Sequence, residues 1–425
     1  MSIYKNPDKI ECMSNIKQIT PYISVIHSDI CNHPLFEGYW PIPDGVTLNS
    51  YFVRGKKTAL IDLTADWEEA VAHLKEQLAE IEGSGTINYL ILNHLEPDHT
   101  GYMQQFVKQN PNVEIIATAK GCALVKNFLK ATECNPSLKI REVKTGDTLD
   151  LGGAVLSFYE IPNVHWPETM CTFNAASGTL FSCDAFGGYG KTGERIFDDE
   201  FTTKELEYYR NESLRYYATI VASFSLFVKQ AVKKLTDAGL VIKTVAPSHG
   251  LIWRTHPETI IADYVKYAGY NTGGTCEHEI CIICASMYGN TKKGAEAVAR
   301  GIKKADPSIT IDFLEIPETD ESHVLAAAYR SAGVVIAAPT YEYKLFPAMV
   351  QILDLFNRKH YTGKKALRIG SWGWIGGGRK EYDALSEPLK WDQIEQYEWQ
   401  GTPAQTDIDA LEAKGRELAG KILPA

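Results

Sequence analysis

A short apolar run that ends in a dense polar cluster places the strongest constraint on how this chain can fold. Residues 89–92 are Tyr, Leu, Ile and Leu, and His94, Glu96, Asp98 and His99 follow them directly. A continuous apolar run is typical of a strand buried in a parallel sheet, and in layered α/β folds ligands bind where such strands end. Two imidazoles and two carboxylates so close together are costly to bury alone but suit a cation. The stretch therefore predicts a metal site at the end of a buried strand.

Three further polar side chains stand at the ends of later predicted strands. They are His165 after a strand, Asp184 after a hairpin predicted over 169–183 with a two-residue turn, and His249 at the end of a strand over 244–250. A lone histidine at a strand end is usually an ordinary hydrogen-bonded residue. Four histidines at predicted strand ends, together with three carboxylates, are harder to explain as ordinary hydrogen-bonded residues.

The pattern of the chain predicts two domains. Its 425 residues are enough for two separate cores. Residues 1–256 alternate strand and helix signals, and their last part contains a long amphipathic helical region over 203–237. Residues 257–277 are predicted to be a linker because Asn, Gly and Thr cluster near their end. From 278 to 425 five strands alternate with helices, which predicts a doubly wound, five-stranded parallel sheet.

Composition excludes several classes of function. The net charge of -10 argues against a nucleic acid partner, because neutralising phosphates requires a surplus of Lys and Arg. The first residues contain no apolar leader, and no stretch approaches the length of a membrane span, so we expect neither secretion nor a membrane location. The nine cysteines do not form a disulfide pattern. Together these features predict a cytoplasmic protein.

Three loops of the second domain predict a cofactor site. The first consists of Ser286, Met287, Tyr288, Gly289, Asn290 and Thr291. A tight turn at a helix N-terminus offers backbone N–H groups and hydroxyls to a phosphate. The other two loops follow the third and fourth strands and contain Pro339, Thr340, Tyr341, Glu342 and Tyr343 in one, and Ser371, Gly373 and Trp374 in the other. Together the loops resemble those of flavodoxins, which implies FMN, with Trp374 as the residue that stacks on its ring.

The first domain resembles the metallo-β-lactamase superfamily, an αβ/βα sandwich whose H-x-H-x-D-H loop binds two metals. Here the loop reads H-x-E-x-D-H, because Glu96 stands where the hydrolases have a second histidine. A hard carboxylate oxygen favours iron or manganese over zinc, which points from hydrolysis towards redox chemistry. The altered loop and the segment Asn163–Glu168 match the flavodiiron branch of the superfamily, and the chain is identified as a two-domain flavodiiron protein.

This resemblance implies the roles of the site residues. His94, Glu96 and His165 would hold one non-haem iron, Asp98, His99 and His249 would hold the other, and Asp184 would bridge the two. Electrons would enter through FMN from rubredoxin, a reduced deazaflavin coenzyme or an NADH-linked reductase. The substrate would be O2, reduced to water, or NO, reduced to N2O. Members of the family assemble as head-to-tail homodimers or dimers of dimers. Tyr39, Trp40, Phe197 and Tyr270 are candidates for the substrate pocket.

Two other functions remain open at this point. One is a zinc-dependent hydrolase fused to a flavin domain, and the other is an electron carrier that uses FMN alone. Glu96 argues against the first, and the complete set of ligand candidates argues against the second. The pair Cys281 and Cys284 lies within a predicted strand, where an offset of three residues sends the side chains to opposite faces, so we expect packing rather than redox chemistry. No rubredoxin-like iron site is expected in the chain.

Overall fold

The computed structural model describes residues 16–81, 85–129 and 138–422. The strands that precede residue 257 are β1 (Lys17–Thr20), β2 (Ile23–Ile30), β3 (Leu35–Phe36), β4 (Trp40–Pro41), β5 (Val46–Arg54), β6 (Thr58–Ile61), β7 (Tyr89–Ile91), β8 (Glu114–Ala117), β9 (Lys139–Glu142), β10 (Thr148–Asp150), β11 (Val155–Glu160), β12 (Met170–Asn174), β13 (Thr179–Cys183) and β14 (Thr244–Pro247). The helices of this part are α1 (Glu68–Glu80), α2 (Pro97–Thr100), α3 (Met103–Gln109), α4 (Ala119–Phe128), α5 (Thr203–Tyr216) and α6 (Ser225–Asp237).

Two sheets face each other in this first part. One has the strand order β1-β2-β5-β6-β7-β8-β9, and the other has the order β10-β11-β12-β13-β14. Apolar side chains of both sheets fill the space between them, where the rings of Tyr51 and Phe181 lie 5.0 Å apart. The outer face of the first sheet packs on the helices through residues such as Leu74 and Phe106. This arrangement of helix, sheet, sheet and helix confirms the predicted sandwich.

The second part has one main sheet with helices on both faces, and a separate two-stranded sheet formed by β18 and β19. Its strands are β15 (Glu277–Ala285), β16 (Thr310–Ile316), β17 (Ser331–Ala337), β18 (Thr340–Tyr341), β19 (Lys344–Leu345), β20 (Lys365–Trp372), β21 (Asp392–Gln393) and β22 (Tyr397–Gln400). Its helices are α7 (Pro257–Tyr270), which precedes the sheet, α8 (Asn290–Ala305), α9 (Glu321–Arg330), α10 (Pro347–Arg358), α11 (Gly378–Ser386) and α12 (Gln405–Ile422). The parallel order β16-β15-β17-β20, with β22 beside β20, confirms the doubly wound sheet, to which β21 adds a short strand.

The pair Cys281 and Cys284 behaves as predicted. Both thiols are buried, and they belong to the apolar clusters on opposite faces of the sheet. Their side chains therefore pack against different helices and do not chelate a common ion.

Three local predictions need correction. The loop between β12 and β13 has four residues rather than two, because the Asn174 carboxamide accepts hydrogen bonds from the backbone N–H and the hydroxyl of Ser177 and so stabilises a wider turn.

The helical region 203–237 is interrupted by a π-helical turn over Tyr217–Val221, within which Thr219 donates to the carbonyl of Arg215 at 2.9 Å. Such turns insert an extra residue into a helix and are frequent near functional sites.

The third correction concerns the segment predicted as a linker. Most of it is the helix α7, because buried Ile260, Tyr264 and Tyr267 recur on one face and pack into the core of the protein. The connection without regular structure is confined to the residues between α7 and β15. The domain limits proposed from the sequence remain a prediction.

The two parts contact each other through a buried polar and aromatic interface. Arg215 donates to the carbonyl of Pro41 and to the hydroxyl of Ser322, both at 2.9 Å, while Glu212 pairs with the same guanidinium. The rings of Tyr217 and Tyr329 stack with centroids 5.8 Å apart. Because a buried guanidinium without partners is costly, these contacts fix the orientation of the two parts. Within the described ranges every helix is too short or too polar to cross a membrane.

Candidate metal centre and cofactor loops

The seven predicted metal ligands lie together where strands of the two facing sheets end. Their positions are the loop after β7 for His94 and Glu96, helix α2 for Asp98 and His99, the loop after β11 for His165, the residue after β13 for Asp184, and the loop after β14 for His249. The imidazoles are buried and Asp184 is 1% exposed. Loops that are far apart in the sequence thus meet at one edge of the sandwich.

One group of ligand atoms forms a first pocket. His94 Nε2 lies 3.3 Å from Glu96 Oε2 and 3.3 Å from Asp184 Oδ2. His165 Nε2 lies 3.0 Å from the same oxygen of Glu96 and 3.2 Å from the same oxygen of Asp184. Two imidazole nitrogens and two carboxylate oxygens therefore converge on one point.

A second pocket has the same composition. His99 Nε2 lies 3.4 Å from Asp98 Oδ2 and 2.9 Å from Asp184 Oδ1. His249 Nε2 lies 3.2 Å from both of these oxygens. The carboxylate of Asp184 therefore turns one oxygen to each pocket, which is the geometry of a bridging ligand.

The donor atoms fit cations better than they fit one another. Among the described residues, the buried atoms without a hydrogen-bond partner include His99 Nε2, His249 Nε2 and Asp184 Oδ1, although these atoms lie close together. Their lone pairs therefore point to a shared centre and not along hydrogen bonds. Ligand atoms about 2.1 Å from one ion and at right angles to each other are about 3 Å apart, which matches the observed separations. Two histidines with carboxylates at each centre form a set that suits iron.

The carboxylates also control the protonation of the buried imidazoles. Burial lowers the pKa of His94, but the carboxylates, above all that of Asp184, outweigh burial and raise this pKa to about 10. Burial also lowers the pKa values of the other three imidazoles, and the nearby carboxylates again outweigh it. The resulting pKa is about 9 for His99 and His165 and about 10 for His249. Although burial opposes it, the imidazoles lower the pKa of Glu96 to about 2. The site is thus built to stabilise positive charge, which a metal would supply in place of the protons.

Sequence reasoning missed the residue that orients His94. Glu168, fully buried, lies 2.7 Å from His94 Nδ1 and accepts a hydrogen bond from the backbone N–H of Leu95 at 3.1 Å. His249 is held in the same way, because its Nδ1 lies 3.2 Å from the carbonyl of Thr47. Such partners leave Nε2 of each ring free for a metal. The sequence feature that could have predicted this role was the position of Glu168, three residues after the proposed ligand His165.

The three cofactor loops also meet at one edge, above the second sheet. In the first loop the Ser286 hydroxyl accepts from the backbone N–H of Gly289 at 3.0 Å, and α8 begins directly after this turn. The hydroxyls of Thr291 and Ser371 lie 2.8 Å apart and join the first loop to the third. Three aromatic residues of the loops, Tyr288, Tyr343 and Trp374, are open to solvent, at 90%, 63% and 75% exposure. Exposed rings around a phosphate-type turn form a surface on which a planar cofactor can bind.

The remaining loop residues support this arrangement. Thr340 accepts a hydrogen bond from the backbone N–H of Gly378, and the rings of Tyr343 and Trp374 meet edge to face at 6.5 Å. Met287 and Tyr341 are also exposed, and Gly373 has open space around its Cα. The structure therefore places the predicted loop residues around one region of the sheet edge.

A cavity of about 350 Å³ opens over the metal ligands. Its lining includes Phe36, Glu37, Trp67, Glu96 and Asp98. The four pocket candidates from the sequence, Tyr39, Trp40, Phe197 and Tyr270, do not line it. Most of them contribute to packing elsewhere, since Trp40, Phe197 and Tyr270 are buried in the apolar clusters. The cavity wall comes instead from Phe36 to Gly38, at the tip of the β3–β4 hairpin, and from Ala65 to Trp67, just before α1.

The fold and the site define a class of protein that joins a metallo-β-lactamase-like metal centre to a flavodoxin-like sheet. The ODP family of β-lactamase-like domains matches residues 46–250. The chain is 32% identical over 379 residues to the anaerobic nitric oxide reductase flavorubredoxin of Salmonella paratyphi A, an alignment that covers 88% of this chain and 76% of that protein. We conclude that the chain belongs to the flavorubredoxin and flavodiiron protein family.

Solved structures show the same relationship. A flavoprotein from Thermotoga maritima has a TM-score of 0.81 at 26% identity, with 95% of this chain and 98% of that chain covered. The rubredoxin oxygen:oxidoreductase of Desulfovibrio gigas has a TM-score of 0.87 at 23% identity, with 96% and 98% covered. The second likeness concerns the fold alone. Together the two structures show that both parts of the chain, and not only the metal-binding part, follow one known architecture.

Proposed function

We propose that this oxidoreductase passes electrons through FMN to a non-haem diiron centre and there reduces NO to N2O, O2 to water, or both. The observation that carries the proposal is the pair of two-histidine pockets that share the carboxylate of Asp184. The same chain carries a complete set of flavodoxin-like loops. Because the Salmonella relative is named a nitric oxide reductase, NO is the first substrate to test.

The residues at each iron follow from the two pockets. His94, Glu96 and His165 would hold one ion, Asp98, His99 and His249 would hold the other, and Asp184 would bridge them. Two irons held there would supply redox chemistry for the reduction of a gas molecule, and FMN would supply electrons one at a time. The protein contributes rigidity, because the buried imidazoles are oriented by Glu168 and by the carbonyl of Thr47. Glu96 contributes a hard anionic oxygen where a zinc hydrolase would use an imidazole.

The flavin is proposed to bind at the three loops. Backbone N–H groups at the start of α8, with the hydroxyls of Ser286 and Thr291, would hold the phosphate. Met287, Tyr288, Gly289, Asn290, Pro339, Thr340, Tyr341, Glu342, Tyr343, Ser371, Gly373 and Trp374 would surround the remainder of the cofactor. The exposure of Trp374 supports a stacking role, because a large aromatic ring gains most from being covered by another planar group.

The partners are also part of the proposal. Rubredoxin, a reduced deazaflavin coenzyme or an NADH-linked reductase would deliver electrons to FMN in the cytoplasm. Head-to-tail pairing would bring the flavin of one chain to the metal centre of another, as a homodimer or as a dimer of dimers. The exposed rings around the cofactor loops and the open cavity over the metal ligands are surfaces that such pairing would cover.

One experiment tests the activity directly. The purified protein is analysed for Fe, Zn and FMN, reduced with a generic donor, and supplied with NO and O2 separately. We expect iron and FMN in stoichiometric amounts and consumption of at least one gas. Zinc without iron, together with hydrolytic activity, would favour the fused hydrolase. Protein that contains FMN but no iron, and that consumes neither gas, would favour an electron carrier that uses FMN alone.

A change behind the first pocket tests the metal assignment. Glu168→Gln preserves the shape of the side chain but removes the charge beside His94 Nδ1, which lies 2.7 Å away. We expect a roughly 10- to 100-fold loss of iron affinity, the usual effect of removing such a partner. Iron retention against a series of chelator concentrations measures it. Glu142→Gln, on exposed β9, is the control and should behave like the wild type.

A further inference from the structure

Two of the carboxylates that line the cavity over the metal ligands, Glu37 and Asp66, have no proposed ligand role, and Glu37 is fixed by the indole of buried Trp40. Glu37 lines the cavity together with Glu96 and Asp98. The residue as a whole is exposed at the tip of the hairpin, but its carboxylate is partly buried beside the Trp40 indole. Its side chain is therefore open both to solvent and to the cavity that the metal ligands line.

The backbone holds Glu37 in an unusual conformation. It occupies the tip of the β3–β4 hairpin with a φ of 51°, in the left-handed region that non-glycine residues rarely adopt, and Gly38 follows with a φ of 67°. The Trp40 indole N–H donates to Glu37 Oε2 at 3.1 Å and fixes the carboxylate. Strained residues of this kind cluster at functional sites, because a residue without a task there is readily replaced by glycine.

Burial is the largest cause of a raised pKa at Glu37, and the surrounding charges act on this pKa in both directions. Burial by the cavity walls and the charge of Glu96 raise its pKa to about 7, while Lys359, His165 and the bond from Trp40 oppose this rise. Lys359 comes from the end of α10 in the second part of the chain, and its Nζ lies 5.6 Å from the centre of the Trp40 ring. Asp66 and Asp98 line the same cavity. A cation bound to Glu96 would offset the negative charge of Glu96. Burial, the larger cause of the raised pKa of Glu37, would remain.

Both proposed reactions consume protons. Reduction of O2 to two waters takes up four electrons and four protons, and reduction of two NO to N2O and one water takes up two of each. The electrons arrive from the donor, so the protons need a separate path to the cavity. A carboxyl that titrates near the working pH and is in contact with water is well suited to transfer them.

We infer that Glu37 is the proton donor at the mouth of the metal site. The protonated carboxyl releases its proton towards the substrate through water in the cavity, and the carboxylate then takes up a proton from bulk water. Glu37 is unchanged after each cycle, and the O–H bond that breaks is replaced by one formed from solvent. This inference rests on the proposed reductase function.

The left-handed backbone offers a substitution that should not harm the fold. Glu37→Gly removes the carboxyl, and the residue type that favours a φ of 51° offsets the loss of the hydrogen bond from Trp40, so we expect thermal stability close to that of the wild type and unchanged iron content. The control is Glu69→Gln, which changes a carboxylate on α1 that accepts a hydrogen bond from Asn32 and does not line the cavity.

Pre-reduced protein mixed rapidly with NO or O2 measures the first turnover, so that electron delivery does not limit the rate. We expect Glu37→Gly to be about 100-fold slower than the wild type, at the low end of the usual effect of a general acid. In a second readout, the pH dependence of Trp fluorescence near neutral pH, which reports Trp40 beside Glu37, should disappear in the variant.

The outcomes separate the two proposals. If the wild type consumes neither gas, the reductase function fails and the proton-donor role fails with it. If the wild type is active and Glu37→Gly is equally fast, only the proton-donor role fails. A slow variant whose Trp fluorescence still titrates as in the wild type would show that Glu37 acts through packing, and it would likewise overturn the inference.

Discussion

Replacing Asp184 with asparagine is expected to remove most of the activity and at least one iron per chain. The two oxygens of this carboxylate face different pockets, at 3.3 Å from His94 Nε2 and 2.9 Å from His99 Nε2. An amide keeps one oxygen but presents a nitrogen with two hydrogens to the other pocket, where it cannot ligate. We expect turnover to fall by at least about 100-fold, which exceeds the loss typical of changes behind the ligands.

Iron and FMN analysis, followed by turnover with NO and O2, measures this effect. FMN content should be unchanged, because Asp184 is remote from the cofactor loops in the fold. Asp199→Asn is the matched control, since Asp199 pairs with Arg254 at 2.9 Å on the same part of the chain and contacts no ligand. Full iron content and normal turnover in Asp184→Asn would show that the carboxylate does not bridge two metals.

Replacing Ser286 with aspartate is expected to have a comparably large effect on the flavin. The serine hydroxyl accepts from the N–H groups of Gly289 and Lys292, at 3.0 and 3.4 Å, in the turn that opens α8. A carboxylate there would occupy these N–H groups and repel a phosphate. Because juxtaposed like charges cost several kcal/mol, we expect FMN affinity to fall by at least about 100-fold.

FMN titration of flavin-stripped protein measures this change, and iron content should remain normal. Thr310→Asp introduces the same charge at the opposite edge of the sheet, at the exposed start of β16, and should bind FMN like the wild type. Activity should be lost in proportion to the missing flavin. Normal FMN affinity in Ser286→Asp would place the phosphate somewhere other than this turn.

The two variants together test the proposed head-to-tail pairing. Asp184→Asn retains the flavin loops and Ser286→Asp retains the metal ligands, so a mixed dimer contains one intact combination of the two. If subunits mix at random, half of the dimers are mixed and each has one of two working sites, which predicts up to about one quarter of wild-type activity. If electrons pass only within a chain, the coexpressed variants should be as inactive as either alone.

Much of this architecture can be read from local sequence. The H-x-E-x-D-H loop, the apolar run before it and the turn over residues 286–291 each lie within a short stretch, and the physical preferences of strands, turns and metal ligands act at that range. The five parallel strands β16, β15, β17, β20 and β22 were predictable for the same reason, because buried parallel strands alternate regularly with helices, whereas the short sixth strand β21 was not predicted. Glu96 in place of an imidazole, together with the flavodoxin-like loops of the second domain, indicated redox chemistry in place of hydrolysis.

Other features depend on contacts between distant segments. The helix over Pro257–Tyr270 replaces a predicted linker because its tyrosines have a core to pack into, and the π-helical turn after α5 accompanies the buried interface at Arg215. In both places tertiary packing overrides the local pattern. Side-chain periodicity cannot report a partner surface that comes from another part of the chain.

For the metal site, the sequence alone determined which residue types are available and at which strand ends they stand. Only the tertiary structure decided that one oxygen of Asp184 turns to each pocket, that Glu168 orients His94, and that Glu37 stands at the mouth of the cavity. The physical reason is that a ligand's role depends on distances of about 3 Å between loops that are separated by many residues. Those distances are set by the packing of two sheets against each other.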